Sequence, residues 1–388
     1  MLKRRKILVV FGTRPEAIKM APLVKGLKAC EERFETKVCV TAQHREMLDQ
    51  VLMTFNIKPD VDLDIMRPDQ DLFDVTSSIL LGLRRVFRDE KPDIVLVHGD
   101  TTTALACAMA AFYNGIPVGH VEAGLRTRDI STPFPEEFNR QVVSKIAKWH
   151  FAPTEISRLN LLAEGHSGTD VIVTGNTVID ALNLVLDGIE KDPLRKINLD
   201  NLLNEALDFN WATTRFILIT GHRRENFGDG FVQICNAVKL LSENNPSICF
   251  VFSVHRNPQV QNPVYSLLGN LPNVFLVEPL EYEPFLYLLQ HCFLILTDSG
   301  GIQEEAPSLG KPVLLMRDET ERPEAVTAGT VKLVGAKSEK IVQAVEQLIL
   351  DECSYNEMVA STNPYGDGRS TNRIINFLTQ TLTERNED

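Results

Sequence analysis

Short apolar runs alternate along the chain with longer stretches in which apolar residues return every three or four positions. KILVVFG is followed by PEAIKMAPLVKGLK, TKVCVTA by REMLDQVLMTF, and PDIVLVHGD by TTTALACAMAAFYNG. IPVGHVEAG and WHFAPT add two further runs. Strands that are apolar throughout are covered on both faces, and helix-length connections between them lead to a parallel sheet. The pattern dulls through 181–212, a helical VIDALNLVLDGI and then a polar stretch rich in Asp and Asn, and restarts at RFILITGHRREN. SICFVFSVHR, NVFLVEP, CFLILTD and KPVLLMR continue it with helices between them.

The fold class is therefore α/β, with two doubly wound parallel-sheet units divided near 175–190. We place the first domain at 1–178 and the second at 179–365. The Pro–Tyr–Gly–Asp–Gly of NPYGDG then reads as a hinge before a last helix within 366–388. Ligands of such sheets bind beyond the carboxyl ends of the strands. With two units, the natural site is a cleft between their facing strand ends.

Composition narrows the classes. The 388 residues carry 40 Lys and Arg against 52 Asp and Glu, a formal charge of −12, which disfavours a sequence-independent grip on nucleic acid or an anionic membrane. The basic start MLKRRK precedes an apolar run that ends at Phe11, too short for an export segment. No stretch approaches the roughly 18 apolar residues of a membrane helix. Seven scattered cysteines without a CxxC read as reduced core thiols of a cytosolic protein.

Several predicted strands end in polar residues: Arg14 after VVFG, Asp100 after VLVHG, Glu122 after GHV, His222 after LITG and Ser299 after ILTD. Any one of them alone has an ordinary reading. Asp100 opens DTTTALA as a helix N-cap would. Glu122 suits a buried ion pair with Arg126, and Glu136 a surface pair with Arg140 four residues on. His222 in GHRREN suits either an exposed loop or a group that assists a phosphate leaving group. His255 in SVHRNP and His44 in TAQHRE offer weaker versions of that choice. Five polar strand ends along one edge of two sheets form a constellation.

The stretch TDSGGIQEEA sharpens it. Gly300 and Gly301 allow the backbone close to an anion where a strand turns into a helix. Glu305 falls about one turn inside, within reach of a ribose diol, and Arg317 and Arg322 in RDETERPEA are candidates for phosphate or for holding Glu305. A GxGxxG after the first strand, GxxxxGK[ST], HExxH and GxSxG are all absent, which disfavours a tightly held dinucleotide, a Walker-type ATPase, a zinc protease and a serine hydrolase. Neither an Asp–x–Asp nor a His/Cys cluster argues for a metal.

The segments FGTRPEAIKMAPLV, TAQHREMLDQV, VHGDTTTALA, VGHVEAGLRT, PEEFNR, TGNTVIDAL, TGHRREN and TDSGGIQEEAPSLGKPVLLMRDETERPEAV closely resemble the non-hydrolysing UDP-N-acetylglucosamine 2-epimerases. The likeness runs from residue 7 to the NPYGDG near 363. It implies two Rossmann-like domains of GT-B type, with a C-terminal helix that returns to the N-terminal domain. It also implies the interconversion of UDP-N-acetylglucosamine and UDP-N-acetylmannosamine without a cofactor or metal, for bacterial surface polysaccharides, by a cytoplasmic homodimer.

By matching motif, the resemblance makes Asp100, Glu122 and Glu136 the acid/base carboxylates and His222 the group that assists UDP departure. Arg14, Lys19 and Arg140 become charged residues near diphosphate or sugar. Ser299 and Gly300 match the phosphate turn, Glu305 the ribose contact, Phe285 a neighbour of uracil, and Arg322 an arginine of the nucleotide site. Some members bind a second UDP-N-acetylglucosamine as activator, at positions matching Gln43, His44, Gln70, Arg223 and His255. A glycosyltransferase of the same fold is the competing expectation; it needs no proton exchange at carbon 2.

Overall fold

A computed structural model describes residues 4–42 and 45–383. It divides into two compact units, one built from Met1–Val185 with Tyr365–Asp388 and the other from Leu186–Pro364. The dividing point lies inside a single helix, Thr177–Lys191.

Seven strands form the sheet of the first unit: β1 (Arg5–Phe11), β2 (Phe34–Val40), β3 (Val61–Asp62), β4 (Ile94–His98), β5 (Val118–Val121), β6 (Trp149–Ala152) and β7 (Val171–Val173). They are parallel and run in the order β3-β2-β1-β4-β5-β6-β7. Chain order reverses between β1 and β4, which pair from Ile7↔Ile94 to Val9↔Leu96. Ile7 to Phe11 and Ile94 to Val97 are fully buried, as central strands of a covered sheet must be. The helix Thr102–Tyr113 packs there through alanines 104, 106, 108 and 111 and Cys107, small side chains that let it lie close to the sheet.

The last helix, Ser370–Thr383, belongs to this unit. Its first amides, Ser370 N and Thr371 N, donate to the Asp180 carboxylate at 3.2 and 2.8 Å, an anion at a helix start. It crosses the helix Arg14–Ala29 so closely that a Cβ on Gly26 would lie 2.7 Å from Ile375 Cδ1. Before it, buried Tyr365 accepts a bond from Asn176 N through its carbonyl at 2.7 Å, so the Pro–Tyr–Gly–Asp–Gly segment is seated against 174–176.

The second unit repeats the plan with β8 (Phe216–Gly221), β9 (Cys249–Val254), β10 (Val274–Val277), β11 (Leu294–Thr297), β12 (Val313–Leu315) and β13 (Val331–Leu333). The order is β10-β9-β8-β11-β12-β13, again parallel, with its reversal between β8 and β11. Ile217, Ile219, Phe250, Phe252, Leu294 and Leu296 meet Phe231 and Val238 of the helix Asp229–Asn244 in one core.

The short strands β3, β7 and β13 at sheet edges were not among the predicted runs. Two or three residues give no readable period. Among the described residues, no helix is long and apolar enough to cross a membrane. All seven cysteines are free, and burial pushes the Cys39, Cys235 and Cys292 thiols up to about 12.

Candidate active site

In the first unit, β1 leaves the sheet through Gly12–Thr13–Arg14. Gly12 is required: a Cβ there would stand 1.9 Å from Thr41 Oγ1 and 2.5 Å from Thr103 Oγ1. Thr13 caps the helix Arg14–Ala29 in a capping box with Glu16, and Pro15 occupies its first turn. The Glu16 carboxylate is buried and accepts from Gly12 N (3.0 Å), Thr13 N (2.8 Å) and Thr13 Oγ1 (2.9 Å). Thr101 Oγ1 donates to its other oxygen at 2.7 Å, so one carboxylate ties the turn after β1 to the turn after β4.

A depression of about 550 Å³ opens over these turns, lined by Arg14, Asp100 and Glu136 among others. Thr101, rather than Asp100, caps the helix Thr102–Tyr113, its Oγ1 accepting from Ala104 N at 3.0 Å. The Asp100 carboxylate is thereby released to bond the Arg140 guanidinium. The other arm of Arg140 reaches Glu137 Oε2 at 3.2 Å, so the expected pairing with Glu136 does not form. Glu137 lies on the buried face of the helix Glu136–Ile146, and its neighbour points elsewhere. Among the described residues, neither the Glu136 carboxylate nor the Arg14 guanidinium has a hydrogen bond or ion pair.

Glu122 follows β5 with φ 60°, a left-handed backbone uncommon for glutamate. Lys19 from the first helix ion-pairs with its carboxylate, Asn176 Nδ2 donates at 2.8 Å, and His98 Nε2 stands 3.6 Å away. Burial works to raise the carboxyl, yet the Lys19 ammonium and then His98 hold it well below the usual carboxylate range. Arg126 is not its partner. That guanidinium takes Glu164 in both arms at 2.6 and 2.9 Å, from the helix turn beyond β6. Because a Cβ on Gly99 would lie 3.9 Å from Glu122 Oε1, the Glu122 cluster and Asp100 are neighbours on one sheet edge.

In the second unit, β8 runs out through Gly221 into His222 and Arg223, and β11 into Asp298–Ser299–Gly300–Gly301. The fully buried Asp298 carboxylate accepts from His222 N, Arg223 N and Asn226 Nδ2 at 2.9–3.2 Å. Ser299 N donates to Thr297 Oγ1 at 3.0 Å. Arg322 lies over Gly300, where a Cβ would come within 2.6 Å of its Nη1. Its Nε donates to Glu304 at 2.7 Å. Glu305 accepts from Tyr282 OH at 2.9 Å, and Arg317 engages Glu225 and Glu321 at 2.5 and 2.6 Å. Phe285 follows Tyr282 by three positions on the helix Tyr282–His291, hence on the same side.

The family model described as UDP-N-acetylglucosamine 2-epimerase matches residues 28–379. The chain belongs to the UDP-N-acetylglucosamine 2-epimerase family. The Campylobacter jejuni protein of that name is 55% identical over 374 residues, 96% of this chain and 97% of that one. The Yersinia pestis protein is 57% identical over 373 residues, covering 96% and 98%. A crystal structure of UDP-GlcNAc 2-epimerase from Neisseria meningitidis bound to UDP-GlcNAc superimposes with TM-score 0.88 at 51% identity, covering 97% of this chain and 100% of that one.

Of the five activator positions suggested by the epimerase resemblance, Gln43 and His44 lie outside the described residues. Gln70 is spent locally in the first unit, accepting from Arg67 N and donating to Ile65 O, both at 2.8 Å. Arg223 and His255 flank His222 in the second unit. The His222 and His255 rings stack at 5.8 Å, and Arg223 Nη2 is 3.9 Å from Glu321. Asn176, Tyr282 and Asp298 escaped the sequence reading. Asp298 alone had a local signal, an acid at the end of CFLILTD; the partners of the other two are set by tertiary contact.

Proposed function

We propose that this chain reversibly converts UDP-N-acetylglucosamine to UDP-N-acetylmannosamine by elimination and re-addition of UDP. The observation that carries the reading is the edge of the first sheet, where three carboxylates stand in three electrostatic settings. Asp100 is bound to Arg140, Glu122 to Lys19, and Glu136 is unpartnered among the described residues. Carbon 2 of the sugar has no adjacent carbonyl, so its proton is not acidic enough for simple removal. In elimination the bond from carbon 1 to the diphosphate oxygen breaks with its electron pair leaving on UDP. The carbon 2 proton passes to a carboxylate and a double bond forms, giving 2-acetamidoglucal. The reverse addition delivers a proton to the opposite face. Groups on both faces of one carbon are thus required, and positive charge where UDP departs.

In this reading Asp100, Glu122 and Glu136 handle the protons, while Arg14, Lys19 and Arg140 fix charge beside sugar and diphosphate. Ser299, Gly300 and Arg322 take the diphosphate, Glu305 the ribose, Phe285 the uracil, and His222 assists UDP departure. No cofactor enters the balance. The family resemblance further supports a cytoplasmic homodimer serving surface polysaccharide synthesis, and a second UDP-N-acetylglucosamine as activator. In the first unit Leu81, Phe112 and Tyr113 are large exposed apolar side chains on two neighbouring helices, which suits a partner copy.

Incubation with UDP-N-acetylglucosamine in deuterated water, followed by NMR at carbon 2, tests the reading. Deuterium at carbon 2 together with UDP-N-acetylmannosamine is expected. Substrate that binds without exchange at carbon 2 overturns it and points to a glycosyltransferase.

A further inference from the structure

The Asp298 carboxylate is 0% exposed and sits where β8 and β11 part, at the reversal point of the second sheet. His222 N donates to Oδ1 at 3.1 Å and to Oδ2 at 3.0 Å, Arg223 N to Oδ2 at 2.9 Å, and Asn226 Nδ2 to Oδ2 at 3.2 Å. Asn226 also donates to Met316 O at 3.1 Å, tying this cluster to the end of β12. Such donors offset the cost of burying a carboxylate away from water. Turn closure alone would be satisfied by the two backbone amides.

The geometry adds something turn closure does not need. His222 Nδ1 stands 3.4 Å from Asp298 Oδ1, on the same carboxylate that holds the residue's own amide. A second constraint on the ring is His255, stacked on it at 27°. An anionic acceptor beside Nδ1 favours the proton on that nitrogen and leaves Nε2 to exchange protons with whatever lies beyond.

We propose that Asp298 is a positioning residue that keeps a proton on His222 Nδ1 and so confines the histidine's proton exchange to Nε2. The proposal rests on the reading that His222 assists UDP departure. As the bond from carbon 1 to the diphosphate oxygen breaks, the imidazolium gives its Nε2 proton to the departing oxygen and becomes neutral. On re-addition the oxygen returns that proton to Nε2. The charge on Asp298 stabilises the imidazolium present before departure and again after re-addition, without accepting a proton.

The test uses the full chain labelled with 15N-histidine, with His222→Asn for resonance assignment. In the wild type, the neutral His222 ring is expected as the Nδ1–H tautomer, and Asp298→Asn is expected to shift it toward Nε2–H. Turnover of Asp298→Asn should fall about 100-fold in kcat, the lower range for loss of an acid–base contribution, while KM and the UDP dissociation constant move less than about threefold. A wild-type Nε2–H tautomer overturns the proposal without recourse to any variant, and so does an Asp298→Asn protein that retains kcat. A His222→Asn variant with unchanged turnover removes the underlying reading instead, and is distinguishable because the tautomer measurement does not depend on activity.

Discussion

Lys19 and Glu122 form a buried ion pair between the first helix and the end of β5, each side chain 10% exposed. Removing one partner of such a pair leaves an uncompensated charge. Lys19→Met should therefore lower stability to urea by about 3 kcal/mol at neutral pH, although methionine fills the space. The sign with pH follows from the depressed Glu122 carboxyl. Its contribution is present above the ordinary glutamate range and is lost as pH falls through the lowered folded value. The Lys19→Met protein should lose that acid limb, and urea titrations from neutral to acid pH would show it. Wild-type slope in the variant would sink the assignment.

Asp100→Asn should lower turnover by at least about 100-fold while UDP still binds, because the carboxylate and not a helix cap is removed. The control is Thr101→Ala, which should cost about 1 kcal/mol for the lost cap and about 1 kcal/mol or more for the lost bond to the buried Glu16 carboxylate. Turnover and UDP calorimetry on both variants separate the two effects. Equal rates for wild type and Asp100→Asn would reduce Asp100 to an anchor for Arg140.

The two glycines of the Ser–Gly–Gly turn should behave differently. A Cβ on Gly300 drives into the Arg322 guanidinium, whereas one on Gly301 meets nothing within 4 Å. Gly301→Ala should leave thermal stability within about 0.5 kcal/mol of wild type. Gly300→Ala should displace Arg322 and weaken UDP about tenfold, or ~1.4 kcal/mol. Equal UDP affinity in wild type and Gly300→Ala would remove Arg322 from the nucleotide site.

The chain pattern carried the sheets and the strand ends because buried parallel strands write long apolar runs. It did not carry who pairs with whom. Spacing suggested Arg140 with Glu136 and Glu122 with Arg126, both short-range choices. The partners found are Asp100 and Glu137 for Arg140 and Lys19 for Glu122. Lys19 and Glu122 are 103 positions apart, and Arg140 and Asp100 are 40 apart. Such pairs exist only because parallel strands bring their carboxyl ends to one edge, so folding decides them and local sequence does not. Asp298 was passed over for a related reason: its role depends on the loop after β8, which arrives from 76 positions away.

Two histidines in the first unit make its stability sensitive to acid. His120 on β5 and His150 on β6 are register partners, both essentially unexposed. Burial pushes each down to about 3, with the charges of Arg126 and neighbouring histidines acting in the same direction. A histidine depressed in the folded state stays neutral there while the unfolded chain takes up a proton below about 6.5. The unfolded state thus binds more protons between about 6.5 and 3, and stability must fall as pH is lowered through that window, by up to about 1.4 kcal/mol per pH unit for each histidine. His150 is the better probe: among the described residues the Nδ1 atoms of both rings lack a hydrogen bond, but His120 Nε2 bonds Gly99 O at 2.7 Å beside the active-site turn. His150→Phe keeps an aromatic ring against His166, whose centroid lies 4.4 Å away, and removes one titrating group. Urea unfolding at closely spaced pH values should show a shallower acid slope in this variant, with stability at pH 8 little changed. A slope identical to wild type would mean that His150 is already protonated in the folded protein.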